Sequence, residues 1–339
     1  MPCIAKLNSM PIPSQNSDLL LHTLADGKFH SGQILADTMG ISRTAVWKKL
    51  NSLQNKYALQ INSVKGRGYQ LSPAINFINP EVVLKKVDDP ENLELHSFVE
   101  LDSTNQWLLE QHSSNKHAAS IHKKICHAEF QRHGRGRREK KWLSPLGCNL
   151  YFSIGWCFEL PMAGLSQLSL LTGVALVETL ESIGVKNAGL KWPNDIYIAD
   201  KKLAGILIEL RGEATGPTTA VIGIGINISM PESSGNDIDQ AWTDISQHCR
   251  PLPSRNDLLA LFIQSLVRML TNFTDITTEQ CSQFWKKYDI LNSRNITIQT
   301  NNTTLSGIAR GIHDDGSLIV SIDGSNQYFH AGDVSLKLT

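Results

Sequence analysis

SGQILADTMGISRTAVWKKLNSL, residues Ser31–Leu53, is the stretch on which the N-terminal architecture turns. Ser31 stands before a helix-like run that Gly40 ends. Ser42 stands before a second run, in which Val46, Leu50 and Leu53 recur at i, i+4 and i+7. Serine caps a helix by accepting from its free first N–H groups, and glycine leaves a helix readily in the left-handed conformation. Only Met39-Gly40-Ile41-Ser42 separates the two runs, and two helices joined by a short glycine-bearing turn make a helix-turn-helix. With Val46, Leu50 and Leu53 turned inward, Arg43, Thr44, Trp47, Lys48 and Lys49 point outward, where they reach phosphates and base edges.

Upstream, Ser17-Asp18 opens a shorter helix carrying Leu19, Leu20 and Leu24, which Gly27 stops. Downstream of Asn55 the pattern changes to strand, and Gly66-Arg67-Gly68 forms the tip of a hairpin. A hairpin after the third helix reads as a wing, with Arg67 along a DNA backbone or in a minor groove. A solvated basic face would account for the cations, but not for the turn and the wing as well. Residues 73–84, with Pro73 and Pro80, read as a linker, and the first 16 residues as a frayed end.

The charge divides at the same place. The 339 residues carry 32 Lys and Arg against 32 Asp and Glu, a net charge of zero. Residues 1–80 hold eight basic and three acidic side chains, a balance of +5, and the remainder is −5. Zero net charge therefore does not exclude nucleic acid; it is a cancellation between unlike parts. Length alone predicts two or three domains at roughly 100–200 residues each. Six cysteines without C-x-x-C spacing imply reduced thiols in a cytoplasmic protein. Eleven histidines show no zinc spacing, and no run of about 18 apolar residues or secretory signal suggests a membrane.

Residues from about 85 to 285 alternate strand-like and helix-like stretches. His96–Leu101, 149–160, 196–198, 203–210 and 219–228 read as strands, Gln106–Gln111 and Leu165–Ile183 as helices, and His112–Lys124 as a surface insertion. Four islands look chemical. Asp102-Ser103-Thr104-Asn105 ends a strand and opens a helix; its hydroxyls either bind a polar ligand or only cap the helix. Six of the ten residues from Arg132 to Lys141 are Lys or Arg, set around Gly134 and Gly136. Such a loop suits an anion, unless it is merely solvated, and it is neither a Walker A loop nor a dinucleotide fingerprint. Lys191-Trp192-Pro193-Asn194-Asp195, with Lys202-Leu203-Ala204-Gly205, brackets a short strand with cations and a carboxylate able to orient a lysine or hold Mg²⁺. Gly223 and Gly225 precede Asn227 inside a strand, which marks close packing or ligand approach. From residue 286 onward, short β-rich runs (294–300, 303–312, 317–323, 326–331) separated by Asn301-Asn302, Asp314-Asp315-Gly316 and Asp323-Gly324 suggest a small barrel. Spacing alone reaches a nucleotide-using anion pocket and no further.

These strings occur in the order found in the bifunctional biotin protein ligases that double as biotin operon repressors, and the chain resembles that family over roughly residues 17–335. The resemblance implies an α+β protein. It would have a winged helix-turn-helix over 1–80, a ligase-like α/β domain with a mixed sheet over 85–285, and an SH3-like β-barrel over 286–339. It also implies that ATP and biotin yield biotinyl-5′-AMP and pyrophosphate, and that a lysine of the biotin carboxyl carrier protein of acetyl-CoA carboxylase takes the biotin. On this pattern Ser103, Thr104, Asn105 and Gln131 bind biotin, and Arg135, Gly136 and Arg137 fold over biotin and the adenylate phosphate. Lys202, Arg137 and Asp195 would be catalytic, Asp195 would serve Mg²⁺, and Lys191 and Asn227 the nucleotide. Gly32, Ser42, Arg43, Thr44, Trp47, Lys48 and Arg67 would face operator DNA, as part of a homodimer promoted by biotinyl-5′-AMP as corepressor. One departure is Glu139, where the family pattern has glycine. A lipoate or octanoate ligase, and a ligand-sensing transcription factor without catalysis, are the competing readings.

Overall fold

The structure, a computed structural model, describes residues 16–114, 118–213, 215–235, 238–300, 303–331 and 335–338. The expected frayed end thus lies almost wholly outside the described residues, as does the Asn301-Asn302 turn. The chain divides after Phe77 into two compact units.

In the first unit, helices α1 (Asn16–Leu24), α2 (Gly32–Met39) and α3 (Arg43–Tyr57) precede strands β1 (Ile61–Val64) and β2 (Gly68–Leu71). The two serines do what their positions predict: Ser31 accepts from Gln33 N and Ser42 from Ala45 N, both at 3.2 Å. Gly40 ends α2 at φ 63°. Leu20, Leu24, Leu35, Val46, Leu50 and Leu53 are all buried and form the core. The hairpin pairs Ile61 with Leu71, and Gly68 lies so close to His30 that a Cβ would be 2.0 Å from its carbonyl oxygen. His30 and Tyr69 exchange both backbone bonds there, fixing the wing to the turn before α2.

The second unit is built on a seven-stranded sheet. Its strands are β3 (Glu94–Leu101), β4 (Lys124–Gln131), β5 (Leu150–Phe158), β6 (Gly189–Lys191), β7 (Asp195–Ile198), β8 (Lys201–Gly212) and β9 (Thr218–Ile226), in the order β3-β4-β5-β9-β8-β7-β6. Only the β3–β4 pair is parallel, so the sheet is mixed. Helices α4 (Pro80–Leu84), α5 (Thr104–Ser114), α6 (Leu168–Ser182), α7 (Glu232–Gly235), α8 (Arg255–Thr271) and α9 (Thr278–Tyr288) accompany it. Strands β10 (Asn295–Gln299), β11 (Thr304–Ile312), β12 (Leu318–Ile322), β13 (Ser325–Phe329) and β14 (Ser335–Leu338) form an antiparallel sheet in the order β13-β12-β11-β10-β14. Ile296, Ile298, Ala309, Leu318 and Val320 of that sheet join the same core as α6 and α8.

Alternation along the central strands decides where a site can form, because successive side chains leave a strand on opposite faces. Ala220, Ile222, Ile224 and Ile226 of β9 enter the large core with α6 and α8. Val221 packs instead with Leu108 and Leu109 of α5, so Gly223 and Gly225 share the α5 face. Met162–Ser182 is long and apolar enough to cross a membrane, yet 72% of its apolar window is buried in the fold; its core is α6.

Two expectations change, and one strand has no counterpart in the sequence reading. The supposed linker contains α4, capped by Asn79, whose Val83 is fully buried. The supposed insertion after His112 ends as core: Ile121 is fully buried, and its carbonyl would lie 2.4 Å from a Cβ on Gly155. Strand β4, unmarked by apolar alternation, carries the buried polar residues His127 and Glu129.

Candidate active site and nucleic-acid interface

On the α5 face of the sheet, Ser153, Gly223 and Leu207 sit side by side across β5, β9 and β8, and in the next row Gly225 pairs with Gly205. The missing side chains leave room for two residues from elsewhere. A Cβ on Gly223 would be 2.1 Å from Asn105 Oδ1, and one on Gly225 would be 2.4 Å from the Trp142 ring.

The first island lies at the start of α5, with Ser103, Thr104 and Asn105 all buried. Thr104 N donates to Gln131 Oε1 at 3.0 Å, and Gln131 Nε2 to Ser144 Oγ at 3.1 Å. Ser153 Oγ is 2.7 Å from Thr104 Oγ1 and 2.6 Å from Asn105 Oδ1. Asn105 Nδ2 donates to Glu209 Oε2 at 2.8 Å, and Arg135 Nη2 reaches the same oxygen at 3.0 Å. Glu209 therefore ties the basic loop to the polar floor.

That loop closes on itself through Trp142 N to Gly134 O at 2.8 Å and Gly136 N to Lys140 O at 2.7 Å. Arg137 bonds Asn194 Oδ1 at 3.1 Å and the Ala331 carbonyl. Burial pulls its guanidinium below the ordinary arginine value, opposed by Asp195. Arg138 and Glu139 at the turn have φ of 54° and 60°. Left-handed backbone suits glycine and costs an ordinary residue roughly 1–2 kcal/mol, so Glu139 stands where glycine would be easiest.

Strands β6, β7 and β8 bring the third island together. Lys191 pairs with Asp195 across the ladder, and Lys202 Nζ lies 2.8 Å from Asp195 Oδ1 and 5.4 Å from the Trp142 ring. Burial lowers the Lys191 pKa, and Asp195 works against that. Among the described residues, seven cationic side chains and a single carboxylate, Asp195, line the cleft. Such a lining favours a ligand with several negative charges.

The cleft thus gathers Ser103, Thr104, Asn105, Gln131, Arg135, Gly136, Arg137, Lys191, Asp195 and Lys202. Asn227 is not among the lining residues; its buried amide donates to Thr243 O at 3.1 Å and holds the chain behind Lys202. Sequence reading gives no role to Trp142, Ser153, Asn194 or Glu209. Ser153 and Glu209 were detectable as polar residues within apolar strands.

In the first unit, Arg43, Thr44 and Lys48 are exposed, as is Trp47 at 51%. Arg67 is exposed with its guanidinium 4.0 Å from the Phe29 ring centroid. Gly32 packs against the Tyr69 ring, and the Ser42 hydroxyl caps α3.

Comparison with known proteins meets this geometry region by region. The biotin/lipoate A/B protein ligase family matches residues 98–227, an HTH domain family 17–70, and the biotin protein ligase C-terminal domain family 294–337. Over 318 residues the chain is 35% identical to the bifunctional ligase/repressor BirA of Escherichia coli, covering 94% of this chain and 96% of that protein. The chain belongs to the family of bifunctional biotin ligase/repressors. A second such ligase/repressor, from Bacillus subtilis, is 28% identical over 320 residues, covering 93% of this chain and 96% of its own. A biotin protein ligase from Aquifex aeolicus, solved in complex with biotin and ATP, aligns with a TM-score of 0.59 at 26% identity, covering 73% of this chain and 99% of that one.

Proposed function

We propose that the chain joins biotin to a lysine of the biotin carboxyl carrier protein of acetyl-CoA carboxylase through biotinyl-5′-AMP, and that the adenylate-bound chain represses biotin biosynthesis genes. The observation that carries the catalytic half is one cleft in which an uncharged polar floor, Ser103 to Asn105 with Gln131, adjoins a cationic wall containing Lys202, Arg137 and Lys191. A ligand with a neutral, hydrogen-bonding ring at one end and a carboxylate at the other matches that division.

In the first step a biotin carboxylate oxygen bonds to the α-phosphorus of ATP and pyrophosphate leaves. Arg137 and Lys202 sit where negative charge gathers between carboxylate and phosphate, and Asp195 holds the lysine in place. Preorganised charge of this kind is worth roughly 10²–10³ in rate per donor. In the second step the neutral amine of the carrier lysine attacks the acyl carbon, its proton is lost, and AMP departs. The buried indole N–H of Trp142 has no partner and is a donor available to an acceptor on the ligand. Among the described residues, no three His, Cys, Asp or Glu side chains come together. Magnesium would therefore arrive with the nucleotide, and Asp195 is the carboxylate that would help hold it.

For repression, the +5 N-terminal unit meets operator DNA through α3 and the wing, in a homodimer that the adenylate promotes. The free thiols of the described cysteines suit the cytoplasm, where we place the protein. Labelled biotin and labelled lipoate, each given with ATP and a carrier domain, test the ligase: biotin transfer is expected, and transfer of lipoate alone overturns it. Gel shift of biotin-operon DNA with and without biotin plus ATP tests the repressor. Binding should weaken steeply with salt, by about 0.9 log unit per log unit for each phosphate neutralised, and a flat response counts against it.

A further inference from the structure

Trp47 is left unexplained by folding. It is the fifth residue of α3, it is 51% exposed, and its neighbours Val46 and Leu50 already fill the core side of that helix. At 100° per residue, Thr44, Trp47, Lys48 and Asn51 share the outward face, with Arg43 at its edge. The Ser42 cap holds the first turn of the helix, and in a helix-turn-helix that end enters the major groove.

An indole offers a groove one N–H and a broad apolar edge. It cannot make the two-point hydrogen bonds by which arginine reads guanine or asparagine reads adenine. The major groove presents one prominent apolar feature, the 5-methyl group of thymine. The flanking exposed cations, Arg43 and Lys48, complement phosphate and bring the helix to duplex DNA rather than to another protein face. We propose that Trp47 is a specificity-determining residue that reads thymine methyl groups in the operator half-site. Asn51, one turn on, carries the amide that matches adenine, so the pair favours A·T steps. This rests on the proposed reading of the first unit as a DNA reader.

The test uses the full chain with biotin and ATP. Duplexes selected from a random-sequence pool are remade with deoxyuridine replacing single thymidines, which removes the methyl group and nothing else. For the native chain, one or two positions per half-site should lose about fourfold in affinity each, the weight of one CH₂ group taken out of water. Trp47→Ala should melt like the native chain, bind the same duplex more weakly, and respond to deoxyuridine at none of those positions. Trp47→Phe should keep part of the response. Tight, sequence-selective binding that ignores every deoxyuridine overturns the inference while leaving the DNA reader intact. So does Trp47→Ala retaining the native pattern. Failure to select any duplex, with binding at the non-specific level, removes the DNA reader and this inference with it.

Discussion

Replacing Gly223 by alanine tests the site's construction more sharply than removing any charged group. The new methyl carbon would lie 2.1 Å from Asn105 Oδ1, 2.8 Å from its Cγ and 3.0 Å from its Nδ2. Ordinary contact begins near 3.4 Å, so the amide must retreat by about 1 Å. Asn105 has nowhere to go without loss. Its oxygen is 2.6 Å from Ser153 Oγ, and its nitrogen donates to Leu207 O at 3.2 Å and to the Glu209 carboxylate at 2.8 Å. Two neutral bonds at about 1 kcal/mol each and one charge-assisted bond at about 1.5 kcal/mol give a cost near 3.5 kcal/mol, at the upper end of ordinary overpacking. For a unit of this size that lowers the melting temperature by roughly 7–14 °C. Biotin affinity, measured by titration calorimetry, should fall about tenfold as the amide leaves its place. Asn105→Ala removes the obstruction, so Gly223→Ala should cost little more in that background, a coupling of about 2 kcal/mol in a double-mutant cycle. Native-like melting of Gly223→Ala, or costs that simply add, would refute the close-approach reasoning.

Lys202→Ala should lower biotin-dependent ATP–pyrophosphate exchange about 10²–10³-fold while the protein still melts cooperatively, and near-normal exchange would remove Lys202 from the chemistry. Glu209→Gln keeps an acceptor for Asn105 but discards the charge facing Arg135. Because both side chains are partly exposed, at 20% and 40%, the Michaelis constant for biotin should rise only some threefold to tenfold, about 1 kcal/mol, with kcat nearly unchanged; an unmoved constant contradicts the clamp. His127 is fully buried beside Ser97, and burial pushes its pKa down to about 4. The unfolded chain therefore binds this proton more readily. Stability present above pH 6.5 is lost as pH falls toward 4, by roughly 2 kcal/mol between pH 7.5 and 5. Urea midpoints at the two pH values should differ less in His127→Gln, and an equal difference would show that another group titrates.

How far such features can be read in advance depends on whether their signal is local. The helix-turn-helix was fully legible because serine caps, a left-handed Gly40 and a buried stripe at Val46, Leu50 and Leu53 act within a few residues of one another. The charge changes sign near residue 80, and the chain divides after Phe77. Helix α8 also has a plain signal: Ser254 caps it, and Leu258, Phe262, Ile263, Leu266 and Leu270 follow at helical spacing. Strand β4 has none, since His127 and Glu129 stay buried through partners distant in sequence. Glu129 bonds Ile78 N and pairs with Arg255 at 2.7 Å, and no pattern within β4 announces either.

The cleft lies between these extremes. Its strings were visible, but their meeting depends on the order β5-β9-β8-β7-β6, which no single strand encodes. Alternation narrows the problem once that order is known. On β8, Ala204, Ile206 and Ile208 belong to the core, so Gly205, Leu207 and Glu209 must face the other way. On β5, Phe152 and Ile154 take the core and Ser153 does not. A polar residue set alone in an apolar strand, in phase with a glycine on the neighbouring strand, marks a floor built to receive something. Ser153 opposite Gly223 meets that condition, and it points to the uncharged end of the cleft without any basic residue. The turn at Arg138 and Glu139 could not be read this way. Left-handed backbone at two side-chain-bearing residues is imposed by the loop closing through Gly136 and Lys140, and no propensity in those residues anticipates it.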